Sequence, residues 1–335
     1  MSEHHTKRRF RRLPIVRDVV AATWNRMRMP GRSHRGELPA GDDHLRAIAE
    51  ELRRHIEQIA DRIGERNIRH HLPELRQTAD YIEAEFLAAG YSPRRQEYEI
   101  DSTPCHNLEV EILGTKRPDE IVIVGAHYDS VPGSPAANDN GSGVAALLSL
   151  ARFYVPFPAE RTIRFVAFVN EESPYAHTPQ MGSWVYARRC KQRAEQVTAM
   201  LSLETIGYYS DLPESQQYPP VVGWLYPSRG NFIGFIGNTR HGELVHQVVR
   251  AFRRSEPFPS QGAALPETIS DISRSDHWSF WQEGYPALMV TDTANFRYPY
   301  YHTPQDTIDK IDFEKTARVV RGLRAVIHSL ASQAH

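Results

Sequence analysis

The chain has 335 residues, 40% of them apolar, enough to bury the core of one large α/β domain or two modest ones. Its formal net charge of -1 conceals an asymmetry: the first 36 residues carry ten Lys and Arg against Glu3 and Asp18, so that this arm is +8 and the remainder -9. Cys105 and Cys190 stand far apart and outside any CxxC spacing, which excludes a disulfide scaffold and a thiolate zinc site, and neither has the context of a nucleophile.

Residues 1–40 read as a basic, flexible arm, and residues 41–335 as the folded domain. Leu13 to Met29 has the spacing of a basic amphipathic helix, but Arg17 and Asp18 interrupt its apolar run, leaving neither a signal-peptide core nor a membrane span. Arg8-Arg9 lacks the apolar stretch that an export signal needs. A cytoplasmic protein is therefore expected, with no nucleic-acid partner.

Leu45, Ile48, Leu52, Ile56, Ile59 and Ile63 recur at helical spacing behind Asp42-Asp43, an acidic start to a long amphipathic helix. Pro73 suits the first turn of a second helix, with Ala79, Ile82, Phe86 and Leu87 on its apolar face and Gly90 at its end. Strands are then predicted at 107–113, 121–125, 163–169, 199–203 and 286–290, with helices at 143–154, near 183–190 and at 313–329. Runs such as Ile121-Val122-Ile123-Val124 belong to strands buried on both faces, the mark of a mostly parallel α/β sheet. Residues 208–241, rich in Pro, Gly, Tyr and Phe, read as an inserted loop or small hairpin that walls a cleft, with Tyr218, Trp224, Phe232 and Phe235 as candidate pocket residues.

The chemistry concentrates at Glu171 and Glu172, directly after the apolar run 162–169. Two carboxylates at the end of a buried strand are costly unless cations or strong donors receive them. Ser173-Pro174 favours a break from strand to loop there, which lets both side chains serve one site. His127, Asp139, Glu172, Glu204 and His302 form an oxygen-and-imidazole set suited to zinc, and Glu171 is left over as a general base. Asp129, two residues after His127, is placed to orient its imidazole. Asp139 can bridge two cations about 3.5–4 Å apart, a spacing that clamps a hydrolytic water. His127 and Glu204 then fall to one cation, Glu172 and His302 to the other. Three ligand carboxylates and a bridging hydroxide would neutralise two divalent ions.

The motifs GAHYDS (125–130), NDNGSG (138–143), NEE (170–172), MGSWVYA (181–187), SLETIGYY (202–209) and YHTPQDT (301–307) together resemble the co-catalytic di-zinc aminopeptidases. That family includes bacterial leucyl aminopeptidases, and its domain recurs in glutamate carboxypeptidase and the transferrin receptor. The resemblance covers about residues 45–332. It implies a three-layer α/β/α sandwich with a mixed, mostly parallel sheet and two zinc ions, with other divalent ions possible. It further implies His127, Asp139, Glu172 and His302 as ligands, Glu171 as base, and Tyr301 as a hydroxyl that polarises the scissile carbonyl. Glu204 stands where the family usually has Asp, one methylene shorter. Asp276 and His277 match a family segment near the site, although Ser275 or Asp276 also suits a helix cap. Asp292 and Arg297 precede His302 on the cleft side, with Arg297 expected at the surface. The implied activity is removal of N-terminal residues from peptides. The alternatives are a glutaminyl cyclase-like single-zinc acyltransferase, a dipeptidase or carboxypeptidase on the same scaffold, and a non-catalytic binding module.

Overall fold

A computed structural model of the protein describes residues 29–219 and 222–332; the arm up to residue 28, with most of the candidate helix at Leu13 to Met29, lies outside the described residues. Residues 29–40, expected to be flexible, lie against the domain: Arg253 donates to the carbonyl of Pro30 at 2.9 Å, and Ser33 Oγ accepts the amide of Ser260 at 2.9 Å.

Helix α1 (Asp43–Ile56) is capped by Asp42, whose carboxylate accepts the amide of Leu45 at 2.7 Å, and it buries Leu45, Ile48, Leu52 and Ile56. The apolar spacing predicts an unbroken helix to Ile63. The chain instead widens into a π turn over Glu57–Ile63, which keeps Ile59 and Ala60 facing the core and ends at Gly64 with φ 86°. Helix α2 (Leu72–Ala88) has Pro73 in its first turn, as expected.

Eight strands form one mixed sheet: β1 (Arg94–Ile100), β2 (Thr103–Ile112), β3 (Arg117–His127), β4 (Arg161–Phe168), β5 (Gln196–Glu204), β6 (Ile233–Asn238), β7 (Ser260–Leu265) and β8 (Ala287–Thr291). Their order is β1-β2-β4-β3-β5-β8-β6-β7. The central four, β4, β3, β5 and β8, are mutually parallel; β2 pairs antiparallel with β4 and β1 antiparallel with β2 on one side, and on the other β6 pairs antiparallel with β8 and parallel with β7. On β3, Val122, Val124 and Ala126 enter one apolar cluster and Ile121 and Ile123 the other, the two-sided burial that its sequence predicts. Helices α1, α2, α3 (Gly143–Tyr154), α5 (Gly242–Ser255) and α7 (Phe313–Ser332) contribute to the first cluster; α4 (Gly182–Gln192) and α6 (His277–Gln282) contribute to the second. This is the expected three-layer sandwich.

Three strands and one helix were not legible. Strand β1, RRQEYEI, is a charged edge strand, and β6 and β7 are short runs interrupted by glycine. Their conformation is fixed by ladder pairing. Strand β6 lies inside the segment expected to be an insertion, so among the described residues of that segment the irregular ones are 208–219 and 222–232, with a 3-10 turn at Gly223–Leu225, and a further 3-10 turn follows β6 at Thr239–His241. Helix α5 follows directly, amphipathic but hidden behind that segment's loop composition.

The parallel strands deliver their C-terminal ends to one place: His127 ends β3, Glu171 and Glu172 follow β4, and Glu204 ends β5. Open α/β sheets bind ligands there. Helix α3 approaches β5 closely at Gly143, where a methyl would contact Asn140 Oδ1 and lie 2.5 Å from the carbonyl of Leu203. Gly143→Ala is therefore expected to destabilise the fold by about 1–3 kcal/mol. Denaturant midpoints measure this, and an unchanged midpoint would show that the approach has slack.

Candidate metal centre

The turn that carries Asp139 is fastened to the end of β5 by asparagine side chains. Asn140 Oδ1 accepts the amides of Gly143 and Thr205, both at 3.1 Å, while its Nδ2 donates to the carbonyl of Leu203 at 2.7 Å. Asn138 Oδ1 accepts the amide of Gly207 at 2.8 Å. Read alone, Asn-Asp-Asn-Gly is a turn. In the fold it sets Asp139 beside Glu204 through side-chain bonds to backbone, independent of any ion.

Glu171 and Glu172 leave the strand in a loop that turns at Asn170 (φ 59°). Both Asp129 oxygens accept from this loop, Oδ1 from the amide of Glu171 and Oδ2 from the amide of Glu172, each at 3.1 Å. Asp129 Oδ1 also lies 3.5 Å from His127 Nδ1, too long for a good hydrogen bond. Asp129 thus joins the loops after β3 and β4 as well as facing the imidazole.

His127 Nε2 lies 3.4 Å from Asp139 Oδ1 and 3.3 Å from Glu204 Oε2. On the other side of the same aspartate, His302 Nε2 lies 3.0 Å from Asp139 Oδ2 and 3.2 Å from Glu172 Oε1. The structure therefore gathers two groups, His127 with Asp139 and Glu204, and Asp139 with Glu172 and His302, in each of which the donor atoms all lie within 4.8 Å of one another. His127 Nδ1 and Nε2, Asp139 Oδ2 and Glu172 Oε1 are buried without hydrogen-bond partners. Orphaned atoms of this kind are rare in folded proteins and call for an explanation. The set of imidazole and carboxylate donors fits divalent zinc chemically, and ions held by the two groups would satisfy His127 Nε2, Asp139 Oδ2 and Glu172 Oε1, whereas His127 Nδ1 faces Asp129.

The titration of the ion-free cluster reflects this crowding. Burial, reinforced by Asp139, pushes Glu204 up to about 8, and burial together with Asp139 also raises Glu172. His302 is pushed up to about 11: burial opposes its charge, but Asp139 and Glu172 outweigh it. Glu171 is raised well above the usual carboxylate range by burial, and Glu172 and Glu204 add to the rise. Its Oε2 sits 3.9 Å from His127 Nε2.

Glu171, Glu204 and Tyr301 line one cavity, whose other walls include Tyr218, Val222, Phe232, Ile236 and Met289. Of the aromatic residues proposed for the pocket, Tyr218 and Phe232 line it. Trp224 is 77% exposed and does not, and Phe235 packs in the core beyond the opposite sheet face. The ring of Tyr301 stacks on His302 with centroids 3.8 Å apart.

Three neighbouring residues depart from expectation. Arg297 is buried: it donates to Gln216 and to the carbonyl of Phe232, both at 2.8 Å, and pins the 208–232 segment from within. Asp276 caps nothing with its side chain; it is fully buried with both oxygens unpartnered, and burial raises it to about 7. His277 meets the carbonyl of Ile272 at 2.7 Å, and neither residue lines the cavity. Ser275 supplies what the sequence did not reveal: its hydroxyl donates to Glu204 Oε2 at 2.8 Å and meets Ser202 Oγ at 2.8 Å. Its only signal was the motif shared with Asp276.

Comparison with known proteins agrees with this architecture. Residues 107–327 match Peptidase family M28. The uncharacterized protein YfbL of Escherichia coli (strain K12) is 34% identical over 301 residues, covering 87% of this chain and 91% of YfbL. The chain thus belongs to that peptidase family. Aminopeptidase YwaD of Bacillus subtilis (strain 168) is 30% identical over 219 residues, which span 61% of this chain and 41% of YwaD. Among solved structures, an aminopeptidase from Aneurinibacillus sp. strain AM-1 superposes with a TM-score of 0.66 at 18% identity, covering 88% of this chain and 97% of that one. A glutaminyl cyclase from Fimbriiglobus ruber superposes with 0.62 at 19% identity, covering 90% and 99%. At such identities these likenesses establish the fold alone.

Two outcomes follow for the metal-free protein. Burial with Asp139 raises Glu204, and Asp139 and Glu172 raise His302, so protons compete with an incoming divalent ion for both groups. Zinc uptake is expected to release protons and to tighten as pH rises from 6 to 8; calorimetry in buffers of different ionisation enthalpy measures both. Asp129→Ala is expected to cost roughly 2–5 kcal/mol, because two amide donors lose their acceptor. Asp129→Asn, which keeps one accepting oxygen, should cost less in urea unfolding.

Proposed function

We propose that the protein is a zinc-dependent aminopeptidase that hydrolyses the first peptide bond of substrates with a free N-terminus. The observation that carries this reading is Asp139, one carboxylate whose two oxygens face two separate groups of imidazole and carboxylate donors. His127, Asp139 and Glu204 would hold one zinc ion, and Asp139, Glu172 and His302 the other; manganese or cobalt suits the same donors. When bound, the two ions supply a polarised carbonyl and a water of lowered pKa.

The remaining work falls to the chain. Glu171 takes a proton from the attacking water and returns it to the leaving nitrogen, a role that a raised carboxyl pKa suits. The substrate amine lies toward Glu171 and Glu204, whose carboxyl oxygens on the cavity wall can accept its N–H groups. Tyr301, whose ring position is fixed against His302, offers its hydroxyl to the carbonyl oxygen. The apolar walls beyond favour an apolar first side chain. The likeness to glutaminyl cyclase keeps a single-zinc acyltransferase as the second reading. Two zinc ions per chain support the peptidase reading, and one supports the cyclase.

Glu171→Gln is expected to lower kcat on leucine p-nitroanilide by about 10²–10⁴-fold with zinc content unchanged. Chelation should abolish turnover and zinc restore it. The N-acetylated substrate should resist cleavage. Turnover of the Glu171→Gln protein at the wild-type rate would remove Glu171 from the reaction, and cleavage of blocked peptides would remove the aminopeptidase assignment.

A further inference from the structure

Asp139 must keep two distances at once: one to His127, at the start of the β3-to-α3 loop that also carries Asp139, and one to His302, on a separate loop. Two buried side chains outside both donor groups hold those loops. The first is Arg66, on the segment after the π turn and before the region matched by the peptidase family. Its guanidinium is fully buried and bonds only to backbone carbonyls: Nε to Tyr128 at 2.8 Å, Nη1 to Pro135 at 2.7 Å and Gly64 at 3.0 Å, and Nη2 to Ala136 at 3.1 Å. Its amide donates to Ser130 Oγ at 3.0 Å, and its carbonyl accepts the amide of Ser130 at 2.9 Å. Tyr128 directly follows His127, while Pro135 and Ala136 begin the turn that ends in Asp139. One planar cation thus ties the start of the β3-to-α3 loop to the turn at Asp139.

The second is Asp306, four residues after His302. Its Oδ2 accepts the amide of Asp139 at 3.0 Å, and its Oδ1 accepts the amide of Asn138 at 2.8 Å and the hydroxyl of Tyr298 at 2.7 Å. Its carbonyl accepts the amide of Ala137 at 3.1 Å. Asp306 thus joins the Asp139 turn to the loop of His302.

We propose that Arg66 and Asp306 are positioning residues with divided labour: Arg66 sets the His127 to Asp139 separation, and Asp306 sets the Asp139 to His302 separation, one tether for each cation site. The inference rests on the metal-centre reading above. Its physical basis is the narrow tolerance of metal coordination, about 0.2 Å in ligand distance. Lysine cannot replace Arg66, because a single ammonium does not reach carbonyls at both ends of that loop in the geometry of a planar fork. Asparagine at 306 keeps one accepting oxygen and turns an NH2 group toward donors.

The test isolates each site in the full-length, metal-free chain. His302→Ala leaves the His127, Asp139 and Glu204 group intact, and His127→Ala leaves the Asp139, Glu172 and His302 group without its partner. Zinc is titrated calorimetrically into each background with and without the tether variant, and circular dichroism reports the fold. Arg66→Lys is expected to weaken zinc binding tenfold or more in the His302→Ala background and less than threefold in the His127→Ala background. Asp306→Asn is expected to do the reverse. Equal weakening in both backgrounds, or none, overturns the division and leaves the two residues as ordinary supports of the fold. If Arg66→Lys does not fold, the Asp306→Asn comparison decides alone. Wild-type protein that takes up no zinc overturns the metal-centre reading and the tethers with it, whereas zinc uptake by wild type with indifferent variants overturns the tethers only.

Discussion

Asp139 is the carboxylate on which the site depends. It is buried, it faces a histidine on each side, and Glu172 and Glu204 crowd it from the two flanks. Bringing several carboxylates out of water costs several kcal/mol for each charge that stays uncompensated. The fold concentrates that cost at one point, where the unpartnered atoms of His127, Asp139 and Glu172 also converge. Such a knot of like charge calls for a counter-charge, which the proposed pair of divalent cations would supply.

The surrounding structure serves to hold this knot still. Parallel strands β3, β4 and β5 end side by side, so residues far apart in sequence arrive at a common level. Asn138 and Asn140 fasten the Asp139 turn to the end of β5, and Asp129 links the loops after β3 and β4. Ser275 seats the side chain of Glu204, where the added methylene relative to aspartate gives it more freedom. Nearly all of these bonds join a side chain to backbone, which ties loop geometry to the chain itself.

The donor residues were legible because the chemistry restricts the residue types: only carboxylates and imidazoles serve, and they stood at strand ends in recognisable motifs. The inner strands were legible because two-sided burial demands unbroken apolar runs, as in Ile121 to Val124. Strands β1, β6 and β7 were not, because their own residues carry little strand preference: β1 is a charged edge strand held by its hairpin with β2, and β6 and β7 take their ladder bonds from neighbours more distant in sequence. Arg297 misled for a related reason. An arginine reads as a surface residue until a fold supplies buried carbonyls for its donors, as Phe232 and Gln216 do here.

The sequence by itself determined the α/β class, the central strands, the candidate donors and the family to which they belong. These depend on residue type and local period. Only the tertiary structure decided that Asp139 faces both donor groups, that Arg66 and Asp306 brace it from opposite loops, and that Tyr218 and Phe232 rather than Trp224 and Phe235 wall the cavity. Each of these is a relation between segments separated by tens to hundreds of residues. Such a relation is set by how the layers pack and where backbone groups find partners, and no local pattern encodes it.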